Sequence, residues 1–113
     1  MLLLHENPAD FNDVSPAEIQ EIVGRYLAWW QGLQAQEKAV HSNKLQDEGG
    51  KVISRSNGKL VVVDGPYAEA REVISGYFVI KATSYDEAVH IAMTCPHAEG
   101  NGRIEVREIH EMG

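Results

Sequence analysis

The chain has 113 residues, 17 of them acidic and 10 basic, for a formal charge of −7. That length makes one domain with a core, close to the size at which a single sheet needs help to cover both of its faces. The basic residues are scattered, which argues against a nucleic-acid surface of its own. The single cysteine, Cys95, cannot form an internal disulfide, so nothing points to secretion. The start, Met1-Leu2-Leu3-Leu4-His5-Glu6, lacks the basic flank and apolar length of a signal peptide, and no window approaches the ~20 apolar residues of a membrane span. The expectation is a cytoplasmic protein with no membrane partner.

In chain order, Leu2-Leu3-Leu4 reads as a short strand apolar on both faces, stopped by the polar, Pro8-containing segment that follows. Ser15-Pro16-Ala17-Glu18 is a capping box with proline at the first helical position. Ile19, Ile22, Val23, Tyr26, Trp30 and Leu33 then recur at helical spacing to about Gln36, with Trp29 off that stripe. Ala39-Val40-His41 is a candidate short strand. Lys51 to Arg55 and Leu60 to Asp64 flank Ser56-Asn57-Gly58-Lys59, a hairpin signal because Asn and Gly both tolerate positive φ. Tyr77 to Ala82 is a further strand. Ser84-Tyr85-Asp86-Glu87 caps a second helix, with Ala88, Ile91, Ala92 and Cys95 on its inner face, ending before Pro96. Arg103 to Ile109 closes the chain as an alternating strand.

This order predicts an α+β fold with a ferredoxin-like βαββαβ core and extra strands. Two helices cover only one sheet face, and Leu60 to Val63 and Tyr77 to Ile80 are apolar on both. Burial at ~25 cal/mol per Å² therefore favours a second copy over the bare face, and a homodimer is expected.

With these elements placed, several motifs carry a resemblance over almost the whole chain. They are the Met1-Leu2-Leu3-Leu4 opening, Ser15-Pro16-x-Glu18, Asp64-Gly65-Pro66-Tyr67-Ala68-Glu69, Gly76-Tyr77-Phe78, Asp86-Glu87-Ala88, Cys95-Pro96-His97 and Ile104-Glu105-Val106-Arg107. The chain resembles YCII-related proteins of the DGPF-domain branch, within the group of dimeric α+β barrels, as a single domain spanning residues 1–113. The resemblance implies two protomers pairing their sheets face to face, each with a pocket between sheet and loops, and no cofactor. The wider group includes muconolactone isomerases, small cofactor-independent monooxygenases and a chlorohydroquinone dehydrochlorinase. DGPF proteins are also similar to segments fused to, or encoded beside, extracytoplasmic-function sigma factors, which implies a sigma-factor pathway protein as a partner. YCII proteins proper carry a histidine on the first helix that works with an aspartate. The corresponding helix here offers Tyr26, Trp29 and Trp30 instead, so only Asp64 transfers.

Asp64 ends the apolar run Leu60-Val61-Val62-Val63, where a carboxylate beside apolar walls suits a general base or an orienter of imidazole; the plain alternative is that it binds the amides of its own turn. His97 is the preferred acid–base partner, against the alternative that it satisfies free carbonyls at a helix end. His5, Trp30, Tyr67 and Tyr77 are candidate lining for a small cyclic or aromatic substrate, although aromatics in a small core are usually packing. His5, Asp64 and His97 would also make a facial metal set, but no spaced motif supports one and none is expected. Cys95 reads as a small core residue. Two functions stand open: a cofactor-independent enzyme moving protons on a small molecule, and a non-catalytic ligand-binding or regulatory module.

Overall fold

The computed structural model describes residues 1–65 and 72–111. Strand β1 (Leu2–Glu6) leads through a 3-10 turn into helix α1 (Pro16–Ala35), followed by β2 (Ala39–Lys44), β3 (Lys51–Ser56), β4 (Lys59–Asp64), β5 (Val73–Ile80), α2 (Tyr85–Met93) and β6 (Arg103–Val106). Both serine N-caps form: Ser15 Oγ accepts from the Glu18 amide at 3.2 Å, and Ser84 Oγ from the Glu87 amide at 3.1 Å. Each satisfies an amide that the first helical turn leaves free.

The main sheet has the order β2-β5-β1-β6, with every neighbouring pair antiparallel. This is the ferredoxin-like arrangement, in which β5 returns between β1 and β2. Leu2 pairs with Phe78 and Val106, and Leu4 with Gly76 and Ile104, so alternation places these residues on one face. Phe78 identifies it as the helix face, because its ring centroid lies 4.9 Å from that of Trp29 and 5.1 Å from that of Trp30. Trp29, off the apolar stripe in sequence, thus joins the core by its edge while its Nε1 donates to Thr94 Oγ1 at 2.8 Å. Leu2, Leu4, Leu33, Ile91, Ala92 and Cys95 complete the buried centre.

Two irregularities position the functional region. The register of β1 against β5 shifts between Leu4 and His5, where Ser75 is the extra residue. Gly76 beside it is buried, and a Cβ there would lie 2.8 Å from the Asn43 carbonyl oxygen. Only a residue without a side chain lets β5 approach β2 this closely while leaving the floor beneath α1 open.

The hairpin differs from the expected layout. Its turn forms as the Asn-Gly signal predicts, with φ of 49° at Asn57 and 79° at Gly58. The strands, however, form a sheet of their own, and Leu60 to Val63 therefore do not belong to the central sheet. Among the described residues the hairpin packs chiefly on itself. The Cα radius of gyration is 16.2 Å, against about 13 Å for a compact chain of this length, which is the signature of a projecting arm.

Replacing Gly76 with alanine should cost about 1–3 kcal/mol, because the oxygen it meets is main chain and cannot rotate away. Thermal unfolding of Gly76→Ala checks this, and a melting temperature equal to that of the parent would contradict it.

Candidate functional site

The first half of α1 lifts away from the sheet and leaves a cleft of about 750 Å³. Ile19, Ile22 and Val23 wall it from the helix; Leu4, Gly76 and Phe78 form its floor. Glu6, Ser42 and Lys44 supply polar groups at the sides, and Lys44 is already paired with Asp47 at 2.6 Å. A few polar groups on apolar walls is the usual make-up of a small-molecule site, and the volume is in the usual range.

Tyr26 and His97 stand together in this cleft and also line a smaller hollow of about 320 Å³ with Glu6, Asp10 and Arg25. The pair is therefore a wall between an apolar space and a charged, solvent-facing one. His97 lies in the 3-10 turn Pro96–Glu99 that links α2 to β6 and is 5% exposed. Its Nε2 is 3.0 Å from the His5 carbonyl oxygen, and its Nδ1 is 2.9 Å from the Tyr26 hydroxyl. A carbonyl oxygen can only accept, so Nε2 carries a proton; in the neutral ring Nδ1 is then the acceptor, and the Tyr26 hydroxyl donates to it. That leaves the tyrosine oxygen free to accept a hydrogen bond from a bound molecule. Gly102 makes the arrangement possible, because a Cβ there would fall on His97 Nε2 and come within 2.8 Å of the His5 carbonyl.

Burial is the largest influence on the Tyr26 phenol, raising its pKa above the ordinary value; the negative charges that Cys95 and Glu6 can carry add to this, and Arg25 opposes it. The phenol is held neutral, as a donor to the imidazole.

The structure disperses the other candidates. Asp64 sits at the base of the hairpin with its side chain 87% exposed, in an ion pair with Lys51, and does not line the cleft. The expected Asp64–His97 pair is therefore not brought together in this chain, because the strand carrying Asp64 left the central sheet for the arm. His5 contributes its carbonyl to His97, while its ring binds Glu105 Oε1 at 3.0 Å. Tyr77 is the exception in part: it is among the residues that line the cleft, and its hydroxyl is 3.1 Å from His41 Nδ1 and accepts from Asn43 Nδ2 at 3.0 Å. Trp30 is packing against Phe78. Tyr67 lies outside the described residues. Sequence reasoning placed Tyr26 on the core stripe and did not pair it with His97; the available signal was a hydrogen-bonding side chain on that helix. Among the described residues, no cluster of three or more His, Cys, Asp or Glu side chains is placed to hold a metal, and no helix is long and apolar enough to cross a membrane.

The model of the YCII-related domain matches residues 1–113. The chain belongs to the YCII-related family. It is also similar to an uncharacterized protein of Rhizobium meliloti (strain 1021), 36% identical over 58 residues, a match covering 50% of this chain and 47% of that protein. The match thus spans about half the length of that relative.

Cys95, fully buried two residues before His97, has its thiol pushed up to about 11 by burial. Since folding disfavours the thiolate, this group contributes stability in full below its ordinary value of 9.0, and the contribution is lost as pH rises toward the folded value. Denaturant titrations between pH 8 and 11 should show a decline that is shallower in Cys95→Ala than in the parent; equal slopes would contradict this account.

Proposed function

We infer that the cleft binds a small, largely apolar cyclic molecule and that Tyr26 and His97 exchange a proton with it without a cofactor. The observation that carries this reading is the Tyr26 hydroxyl, 2.9 Å from a buried imidazole whose second nitrogen is fixed by a main-chain carbonyl. A substrate C–H or O–H resting on the Tyr26 oxygen loses its proton to that oxygen while the phenol passes its own proton to His97 Nδ1. The imidazolium so formed donates to Tyr26 from Nδ1 and to the His5 carbonyl from Nε2, so the cation gains donors' partners without any side chain moving. Return of the proton to another substrate atom completes an isomerisation; departure of a leaving group with its bonding electron pair, followed by release of the imidazolium proton through Tyr26 to that anion, completes an elimination.

The same hydrogen bonds favour a second reading, since both ring nitrogens are already satisfied. On that reading the cleft only holds its ligand, and binding regulates a partner, for which a sigma-factor pathway protein is the class suggested by the DGPF resemblance. In either case we place the protein in a homodimer, with the sheet face bearing Leu3, Tyr77 and Val79 against a second copy. The half-exposed state of these central residues supports it.

Solvent deuterium exchange separates the readings. A panel of cyclic ketones, lactones and substituted phenols, incubated with the protein in D2O and followed by proton NMR, should include members whose acidic C–H exchanges faster with protein. That acceleration should fall by about 10²-fold or more in Tyr26→Phe and in His97→Gln. Shifts at Gly76 and Tyr26 without any exchange would support the binding reading, and neither shifts nor exchange would count against both.

A further inference from the structure

The β3–β4 arm presents two unlike faces. The register pairs Lys51 with Asp64, Ile53 with Val62 and Arg55 with Leu60 on one of them. On this face Ile53 and Leu60 are each 66% exposed and Val62 is 60% exposed. An isolated two-stranded hairpin is marginal in water, and three large aliphatic side chains on its open face call for a cover that the described residues of its own chain do not supply. The arm is also electrostatically unlike the rest of the protein: Lys51, Arg55 and Lys59 against Asp64 make it +2 in a chain of −7.

A matching surface exists on the outside of α1. Ile19, Val23 and Leu27 recur every fourth residue as an exposed apolar ridge. Ile19 and Val23 belong at the same time to the open wall of the cleft. Exposed carboxylates stand near the N-terminal end of this ridge, Asp10 and Asp13 before the helix and Glu18 in its first turn. A basic, apolar strand face and an acidic, apolar helix ridge are complementary in both respects.

We propose that the arm of one copy lies across the α1 ridge of a second copy, so that each subunit's cleft is roofed by its partner's hairpin. Ile53, Leu60 and Val62 pack on Val23 and Leu27, while Arg55, on the same face, meets the carboxylates near the start of the helix. Strands of six residues reach about 20 Å beyond the arm's base, enough to span a helix and its flank. The proposal goes beyond sheet pairing, because it makes the ligand site incomplete in a lone chain. It also gives the exposed aliphatic face a burial that an open edge otherwise lacks.

The test uses the full chain carrying single new cysteines, with the buried, high-pKa Cys95 silent in the background. Val23→Cys and Ile53→Cys proteins are mixed, allowed to exchange, oxidised mildly and run on a non-reducing gel. A covalent dimer should form in the mixture at least five times more than in either variant alone. In parallel, sedimentation of Ile53→Lys/Val62→Lys should show a dimer dissociation constant raised at least tenfold, with an unchanged circular dichroism spectrum of the main sheet. A double variant, Val23→Cys/Ile53→Cys, that closes only within one chain would overturn the proposal in favour of an arm folding onto its own cleft. A dimer indifferent to the lysine substitutions would overturn it while leaving sheet pairing intact, and a protein monomeric at all concentrations would overturn both.

Discussion

The arrangement of this protein depends on the two hydrogen bonds of one imidazole. His97 joins the end of β1, through the His5 carbonyl, to the middle of α1, through the Tyr26 hydroxyl, from a turn that itself connects α2 to β6. Three elements distant in sequence are therefore held by a single ring with both nitrogens committed. A ring so enclosed has to be satisfied at every polar atom, since an unpaired buried nitrogen costs about 1–3 kcal/mol. Satisfying it also assigns its tautomer, and the tautomer makes the neighbouring tyrosine oxygen available to the cleft. Structure and candidate chemistry thus share the same two bonds.

Room for this clamp comes from small residues and a local irregularity. Gly102 admits the imidazole edge, Gly76 opens the cleft floor, and the register shift at Leu4 and His5 turns the His5 carbonyl inward while sending its ring to Glu105 on the other side. The helix above is held at its far end by Trp29 and Trp30 on Phe78. Its near end carries only aliphatic side chains over open space. The cleft is the consequence of packing a helix firmly at one end only.

Much of the fold was legible in the sequence. Both helices carry their Ser N-caps, the Asn-Gly turn forms, and the alternation of the last strand holds over Arg103–Val106, where the strand stops short of the expected Ile109. What local patterns could not reveal is partition: Leu60 to Val63 is as apolar as a central strand, and nothing in its composition says that it pairs only with β3. That single fact moved Asp64 from an expected pocket wall to an exposed ion pair with Lys51. His97 was singled out because its residue type is suited to proton transfer, and it lies in the wall of the cleft. Its partner was missed because a tyrosine on an apolar helical stripe reads as core until the opposing loop is placed. Gly102 and the His5 carbonyl left no trace at all, since main-chain roles carry no side-chain signature.

The central claim concerns the state of one ring, and nitrogen-15 NMR of the His97 imidazole measures it most directly. The account predicts a fixed tautomer at neutral pH with the proton on Nε2 and Nδ1 as acceptor, and a change in the Nδ1 signal when Tyr26 is replaced by phenylalanine. A proton found on Nδ1, or a ring averaging freely between tautomers, would mean that Tyr26 and His97 do not form the pair on which the proposed chemistry rests.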